Sequence, residues 1–197
     1  MKPAPFEYHQ ARSVEEATAA LAAAGGDAKI LAGGQSLMPM INFRLVKPAV
    51  LIDINAIPDL GSISDEGSRV RLGANVRHWM VALDQNILEK TPIVNAAMQH
   101  VAHLTVRNRG TFCGSVCHAD PAAEMPLMTL LLDGEIEARS SQGKRSIPAA
   151  EFFEGSLVNA LRPDELVTSI SIETLPPNTG WGFQEFAKRH GDFAIAC

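Results

Sequence analysis

Several protein classes are excluded by what this sequence lacks. Cysteine occurs only 3 times in 197 residues, and so small and odd a number rules out a disulfide-stapled scaffold and points to a reducing compartment. Lysine and arginine total 17 against 22 aspartates and glutamates, a formal net charge of −5. A nucleic-acid surface requires the opposite balance, with cations clustered on one face to neutralise phosphates. No apolar stretch reaches the roughly 18 to 20 residues that a membrane-spanning helix requires, and the opening MKPAPFEYHQ has no apolar secretory core. These absences predict a cytoplasmic protein with no nucleic-acid partner and no membrane span. Repeats and low-complexity tracts are missing too, which excludes solenoids and fibrous arrays. What remains is an ordinary globular composition, 46% hydrophobic and 20% charged, long enough for one domain with a real core or two small lobes sharing a cleft.

The elements mix strands and helices. Ser13 with Glu16 three residues later forms a capping box, and alanines run from there to a Gly25-Gly26 stop, so a helix is expected over 14–24. KILAGGQS and AVLIDI are short apolar runs of strand length, which with that helix suggest a small βαβ-like unit. Between them SLMPMINFRLVKP supplies a short helix, broken or kinked at Pro39. RVRLGANV alternates like a half-buried strand, and VRHWMVALD and PIVNAAMQHVAHL read as amphipathic helices. A hairpin is expected with strands near 135–139 and 144–147 around a Ser-Gln-Gly turn, and ELVTSISIETL is a further strand. LPPNTGWG, from Leu175 to Gly182, is the clearest linker, and FQEFAKRHGDFAIAC after it offers one short strand and the start of a helix. Strict βαβα alternation is absent, so the class is α+β.

Two small-residue stretches could carry chemistry. In LAGGQS (31–36) glycines at a strand end let the backbone approach a ligand, and successive N–H groups of such a turn form an anion nest; on its own the pattern is also that of a plain turn. RNRGTFCGSVCHADPAAEMP (107–126) holds Cys113, Cys117 and His118, one residue outside the C-x-x-C-H haem pattern and without the second cysteine pair a zinc site needs. Its Thr111, Gly114 and Ser115 form a second loop with hydroxyls and free amides suited to a pyrophosphate, and Asp120 is expected to cap a helix from Pro121 to about Leu132. Separated by about 75 residues, the two loops could clamp one diphosphate from opposite sides. His100 and His103, at i and i+3, lack a carboxylate partner in sequence and fit a polar helix face better than a metal site.

AGGQSLMPMINFRLVKPAVLIDI and RNRGTFCGSVCHADPAAEMP, followed by GDFAIA, resemble the FAD-binding middle subunits of the molybdenum hydroxylases. That family includes carbon monoxide dehydrogenase, N-heterocycle dehydrogenases and the flavin domain of xanthine dehydrogenase. The likeness runs from about Phe6 to Cys197. It implies a two-lobed FAD-binding fold of the PCMH type with FAD between the lobes. Residues 1–175 would form the FAD-binding domain (lobes about 1–55 and 56–175), and 176–197 a linker and the start of a truncated C-terminal lobe. By the same resemblance Ala32, Gly33, Gly34, Gln35 and Ser36 match the first FAD loop, and Thr111, Gly114 and Ser115 the second. Asp120 matches an acid beside the polyol and phosphates, and Phe193 an aromatic near the flavin ring.

The resemblance also implies partners: a large molybdenum–pterin subunit and a small subunit with [2Fe-2S] clusters, assembled as a heterotrimer or a dimer of heterotrimers. Electrons would pass from those clusters through FAD to an external acceptor. No residue of this chain is then expected to be catalytic or to ligate metal, because the cofactor carries the chemistry. A self-contained FAD oxidoreductase and a non-enzymatic, truncated assembly subunit are the alternatives. Three positions depart from the family pattern: Cys113 replaces a glycine, Cys117 a small residue, and Glu185 stands where relatives carry a cofactor-reaching lysine, with Lys188 a possible substitute.

Overall fold

The structure, a computed structural model describing residues 2–197, begins with a parallel βαβ unit. β1 (Glu7–Gln10), α1 (Val14–Ala23), β2 (Ala28–Leu31), α2 (Leu37–Asn42) and β3 (Val50–Asp53) place three strands in the order β1-β3-β2, all parallel. Ser13 caps α1 by accepting the Glu16 amide at 3.1 Å, while the Glu16 carboxylate reaches back to the Arg12 amide at 2.8 Å. Pro39 does not break α2. It is the third helical residue, where its missing N–H leaves no bond unmade.

A 3-10 turn (Pro58–Gly61) leads to the second sheet, opened by β4 (Ile63–Asp65) and β5 (Arg69–Gly73). Six helices follow: α3 (His78–Leu83), α4 (Gln85–Lys90), α5 (Pro92–Met98), α6 (Leu104–Arg107), α7 (Phe112–His118) and α8 (Glu124–Leu131). Then come β6 (Glu135–Ser140), β7 (Gly143–Pro148), α9 (Ala149–Phe152), the small ribbon β8 (Phe153–Gly155) and β9 (Val158–Asn159), and the long β10 (Leu166–Glu173). The antiparallel order is β4-β5-β10-β6-β7. Alternation decides its faces: Val70, Leu72, Ile136, Ala138, Ile170 and Ile172 are buried, while Arg71, Glu135, Glu137, Ser169 and Ser171 line a charged outer groove.

α1 packs between the two sheets. Its Ala17 and Leu21, the strand residues Ile52, Leu72, Ile136 and Ile170, and Phe112 and Met125 from α7 and α8 belong to one contiguous core. The architecture is α+β, as the mixed pattern implies.

Three expectations are corrected. The helix expected from Pro121 starts at Glu124 instead: Asp120 makes a tight turn, its Oδ1 accepting the Ala122 amide at 2.9 Å. A start at Pro121 would put Pro126 inside the helix, where it removes a hydrogen bond and clashes; starting at Glu124 makes it the third residue. The helix expected to reach Leu104 ends at Met98, and His103 precedes α6 in extended conformation, so His100 and His103 share no helix face. The C-terminal stretch holds no helix: β11 (Phe186–Ala187) and β12 (Ala194–Ala196) pair antiparallel. Among the described residues no helix is long and apolar enough to cross a membrane.

Candidate cofactor-binding site

The site is built at the carboxyl edge of the parallel sheet, where strands of such sheets deliver their loops to ligands. β2 ends at Leu31, and the chain turns through Ala32–Ser36 before α2. Gly34 takes a left-handed φ of +71°, which only glycine adopts without strain. The amides of Gly33, Gly34, Gln35 and Ser36 donate to no group among the described residues, whereas the Gly34 and Ser36 carbonyls start α2. Consecutive unpaired N–H groups in such a turn concentrate positive potential, an anion nest. Gln35 Nε2 folds back onto the Gly33 carbonyl at 3.1 Å and stiffens the turn.

Gly33 is the point where the two stretches meet. A Cβ there would lie 2.4 Å from the Arg109 carbonyl oxygen and 2.7 Å from Gly110 Cα, so only glycine lets the first loop touch the second. Arg109–Phe112 is in turn held by the chain entering α3: the His78 amide donates to Gly110 O at 2.9 Å and the Phe112 amide to Val76 O at 3.1 Å. The second stretch is not an open loop. Thr111 caps α7 by accepting the Gly114 amide at 3.0 Å, and the Ser115 amide donates to Thr111 O. The free amides expected at Gly114 and Ser115 are therefore occupied, and those of the first loop are the open ones.

A polar chain ties the two stretches. Tyr8 Oη donates to Asp53 Oδ2 at 2.6 Å, and Asp53 Oδ1 accepts both the amide and the side chain of Asn55. Asn55 Nδ2 also donates to Ala32 O at 3.0 Å. Arg77, just before α3, donates to Asn55 Oδ1 and to Arg109 O. Burial pulls the Arg77 pKa down, the Arg109 charge adds to this, and Asp53 opposes it. Buried His78 behind it is pushed down to about 4 by burial and then by Arg107 and Arg77, and its Nδ1 has no hydrogen-bond partner among the described residues.

Over residues 4–174 the sequence matches the model of a family described as the FAD binding domain in molybdopterin dehydrogenase. The chain belongs to this family. The alpha subunit of the 6-hydroxypseudooxynicotine dehydrogenase complex of Paenarthrobacter nicotinovorans is 44% identical over 99% of the chain and 66% of that protein. The caffeine dehydrogenase beta subunit of a Pseudomonas species is 43% identical over 98% of the chain and 66% of its own length. Among solved structures, carbon monoxide dehydrogenase from Hydrogenophaga pseudoflava superposes with a TM-score of 0.95 at 36% identity, covering 98% of this chain and 68% of the other. Quinoline 2-oxidoreductase from Pseudomonas putida gives a TM-score of 0.93 at 39% identity, covering 99% and 67%. The chain thus spans about two thirds of the length of the relatives it matches.

The remaining candidates are scattered, some of them beyond the matched residues 4–174. Asp120 lies in the turn between α7 and α8, and Phe193 is 71% exposed on the C-terminal hairpin, outside the contact of the two stretches. Cys113 is not a loop side chain: it is buried on α7 with Sγ 3.5 Å from Leu72 O and 3.6 Å from Gly73 O, and burial raises its thiol well above the ordinary value. Cys117 is pushed up to about 12 by burial. Glu185 has a side chain only 1% exposed, 3.8 Å from His100 Nδ1 and beside Glu124, which burial above all raises to about 7. Among the described residues no cluster of three or more His, Cys, Asp or Glu side chains is placed to hold a metal ion.

Tyr8, Asp53, Asn55 and Arg77 escape a reading by glycine loops. One signal was available: Asp53 closes the apolar run AVLI at the same sheet edge that carries the glycine pair.

Proposed function

We propose that the protein is the FAD-binding, electron-transferring component of a multi-subunit molybdenum hydroxylase. In that reading a large molybdenum–pterin partner oxidises the substrate and a small [2Fe-2S] partner delivers electrons to FAD on this chain, in the cytoplasm. The subunit designations of the dehydrogenase relatives support an assembly of several chains. Residues 1–175 form the flavin-binding unit and 176–197 lead into a further domain.

The observation that carries the reading is the nest of four unpaired amides at Gly33–Ser36, held against the Arg109–Gly110 backbone. Four consecutive donors fit a diphosphate, which offers many acceptors and negative charge. Ala32 and Gln35 shape the turn, Ser36 adds a hydroxyl donor at its exposed end, and Thr111, Gly114 and Ser115, at the start of α7 just after Arg109–Gly110, would line the cofactor from the second stretch. Asp120 would supply an acceptor for polyol hydroxyls and Phe193 an apolar ring for the cofactor. When bound, FAD supplies the electron-carrying chemistry that no side chain of this set can supply.

The protein freed of flavin should rebind one FAD per chain, read from quenching of flavin fluorescence. Gly33→Val should abolish that binding, since its side chain meets backbone at a distance no Cβ tolerates. A wild-type protein that leaves FAD fluorescence unchanged, or a Gly33→Val protein that binds FAD normally, would refute the assignment.

A further inference from the structure

Two arginines stand beside the nest without a direct ion pair; the nearest carboxylate in the polar chain, Asp53, reaches Arg77 only through Asn55. Arg109 O is the atom that the Gly33 backbone touches and also the acceptor of an Arg77 N–H, so the Arg77 guanidinium lies one carbonyl away from the first amide of the nest. From the other side Asn55 links Arg77 to the Ala32 carbonyl, at the start of the same turn. Neither Arg77 nor Arg109 forms an ion pair among the described residues, although 8 lysine– or arginine–carboxylate contacts hold charges elsewhere. A guanidinium carries five N–H donors, of which two are committed here, to Arg109 O and Asn55 Oδ1. The rest remain available on a half-buried cation with a second cation next to it. Like charges held together in partial burial are unfavourable until an anion joins them.

From this geometry we infer that Arg77 is the counter-charge of the anion held by the Gly33–Ser36 nest, a cofactor-binding residue for the diphosphate of a dinucleotide. The amides orient the phosphate oxygens and Arg77 neutralises them, while Asn55 fixes the guanidinium plane against the loop it serves. Only the identity of the ligand rests on the proposed flavin reading. The anion site itself follows from the amides and the unpaired arginines.

The test uses three probes on the flavin-free protein: FAD, riboflavin, which carries no phosphate, and inorganic pyrophosphate. Arg77→Gln should weaken FAD and pyrophosphate by about tenfold or more, the scale of a lost charge-assisted contact, and leave riboflavin within about twofold. Arg77→Lys keeps the charge and should recover most of the lost affinity for both anions. Unchanged FAD and pyrophosphate affinity in Arg77→Gln overturns the assignment, as does riboflavin weakened as much as FAD, which would mark a loop-holding role alone. Failure of Arg77→Lys to exceed Arg77→Gln overturns it as well. If wild-type protein binds pyrophosphate in an Arg77-dependent way but not FAD, the flavin reading falls and the anion site stands; if it binds neither, both fall.

Discussion

Gly33 and Gly34 sit side by side in one motif and are glycine for different reasons. Gly34 needs its positive φ, and a Cβ there would meet only the movable side chains of Leu31 and Met38, at 3.0 and 3.2 Å. Gly33 needs space, because its neighbour is the backbone of Arg109 and Gly110. Sequence reasoning attributes the close approach to a ligand; the structure shows that the protein's own second stretch takes it at Gly33. The cysteines separate in a similar way. On α7, Cys113 is buried in the core and Cys117 is half-buried, and both thiols are raised by burial, Cys117 to about 12, so almost no thiolate exists at either near pH 8. Cys197 is exposed at its residue, and its thiol is raised, by burial first and then by Glu185 and Glu124. Iodoacetamide at pH 8 should therefore alkylate Cys197 alone, slowly, in the native protein and all three cysteines after unfolding, as counted by intact mass. Fast native labelling of Cys113 would contradict its place in the core.

At the scale of elements, legibility followed how local the determinant was. The capping box of α1, the 135–148 hairpin and β10 were readable because each is specified within its own segment. The start of α8 was misread because Asp120-Pro121 imitates a helix start while Pro126, five residues on, decides it. α5 stops early because the chain turns through Ala102 at a φ of +42°, a conformation alanine does not announce. Of the site, the glycine loop was legible and the Asn55–Arg77 tie was not, since it joins residues brought together only by the fold. Two buried groups on these elements make stability depend on pH in opposite directions. Glu124, at the start of α8, is raised from 4.5 to about 7 by burial, with Glu185 and Asp120 adding to it and its own amide opposing. Its contribution is fully present below pH 4.5 and is lost as pH rises to about 7. His78, at the start of α3, is lowered from 6.5 to about 4, so its contribution is present above 6.5 and lost as pH falls to about 4. Each is on the order of 3 kcal/mol, and in the overlap they offset. Glu124→Gln should unmask the histidine, with Tm rising from pH 4.5 to 6.5, while His78→Gln should leave Tm falling over that range. Parallel Tm profiles for wild type and both variants would show that neither group titrates as its surroundings require.

For the whole molecule, the two sheets could be read as separate lobes, yet the packing makes them one unit. α1 belongs by sequence to the parallel unit, but Ala17 and Leu21 join the same core as Leu72, Ile136 and Ile170 of the antiparallel sheet. Tyr8, Asp53, Asn55 and Arg77 add a polar seam at the edge where the nest lies. A nest held between two stretches of chain keeps its spacing only if both sheets melt together; independent lobes would open it long before the protein unfolds. Leu21, 3% exposed, tests this. Leu21→Ala should cost about 2–5 kcal/mol, the usual range for a leucine-sized cavity, and should lower a single transition. Far-ultraviolet dichroism, which follows all elements, and release of bound FAD, which follows the nest, should shift together, with calorimetric and van't Hoff enthalpies equal. Two resolved transitions in Leu21→Ala, with flavin released in the first, would mean that the sheets are stable apart and that α1 couples them only weakly.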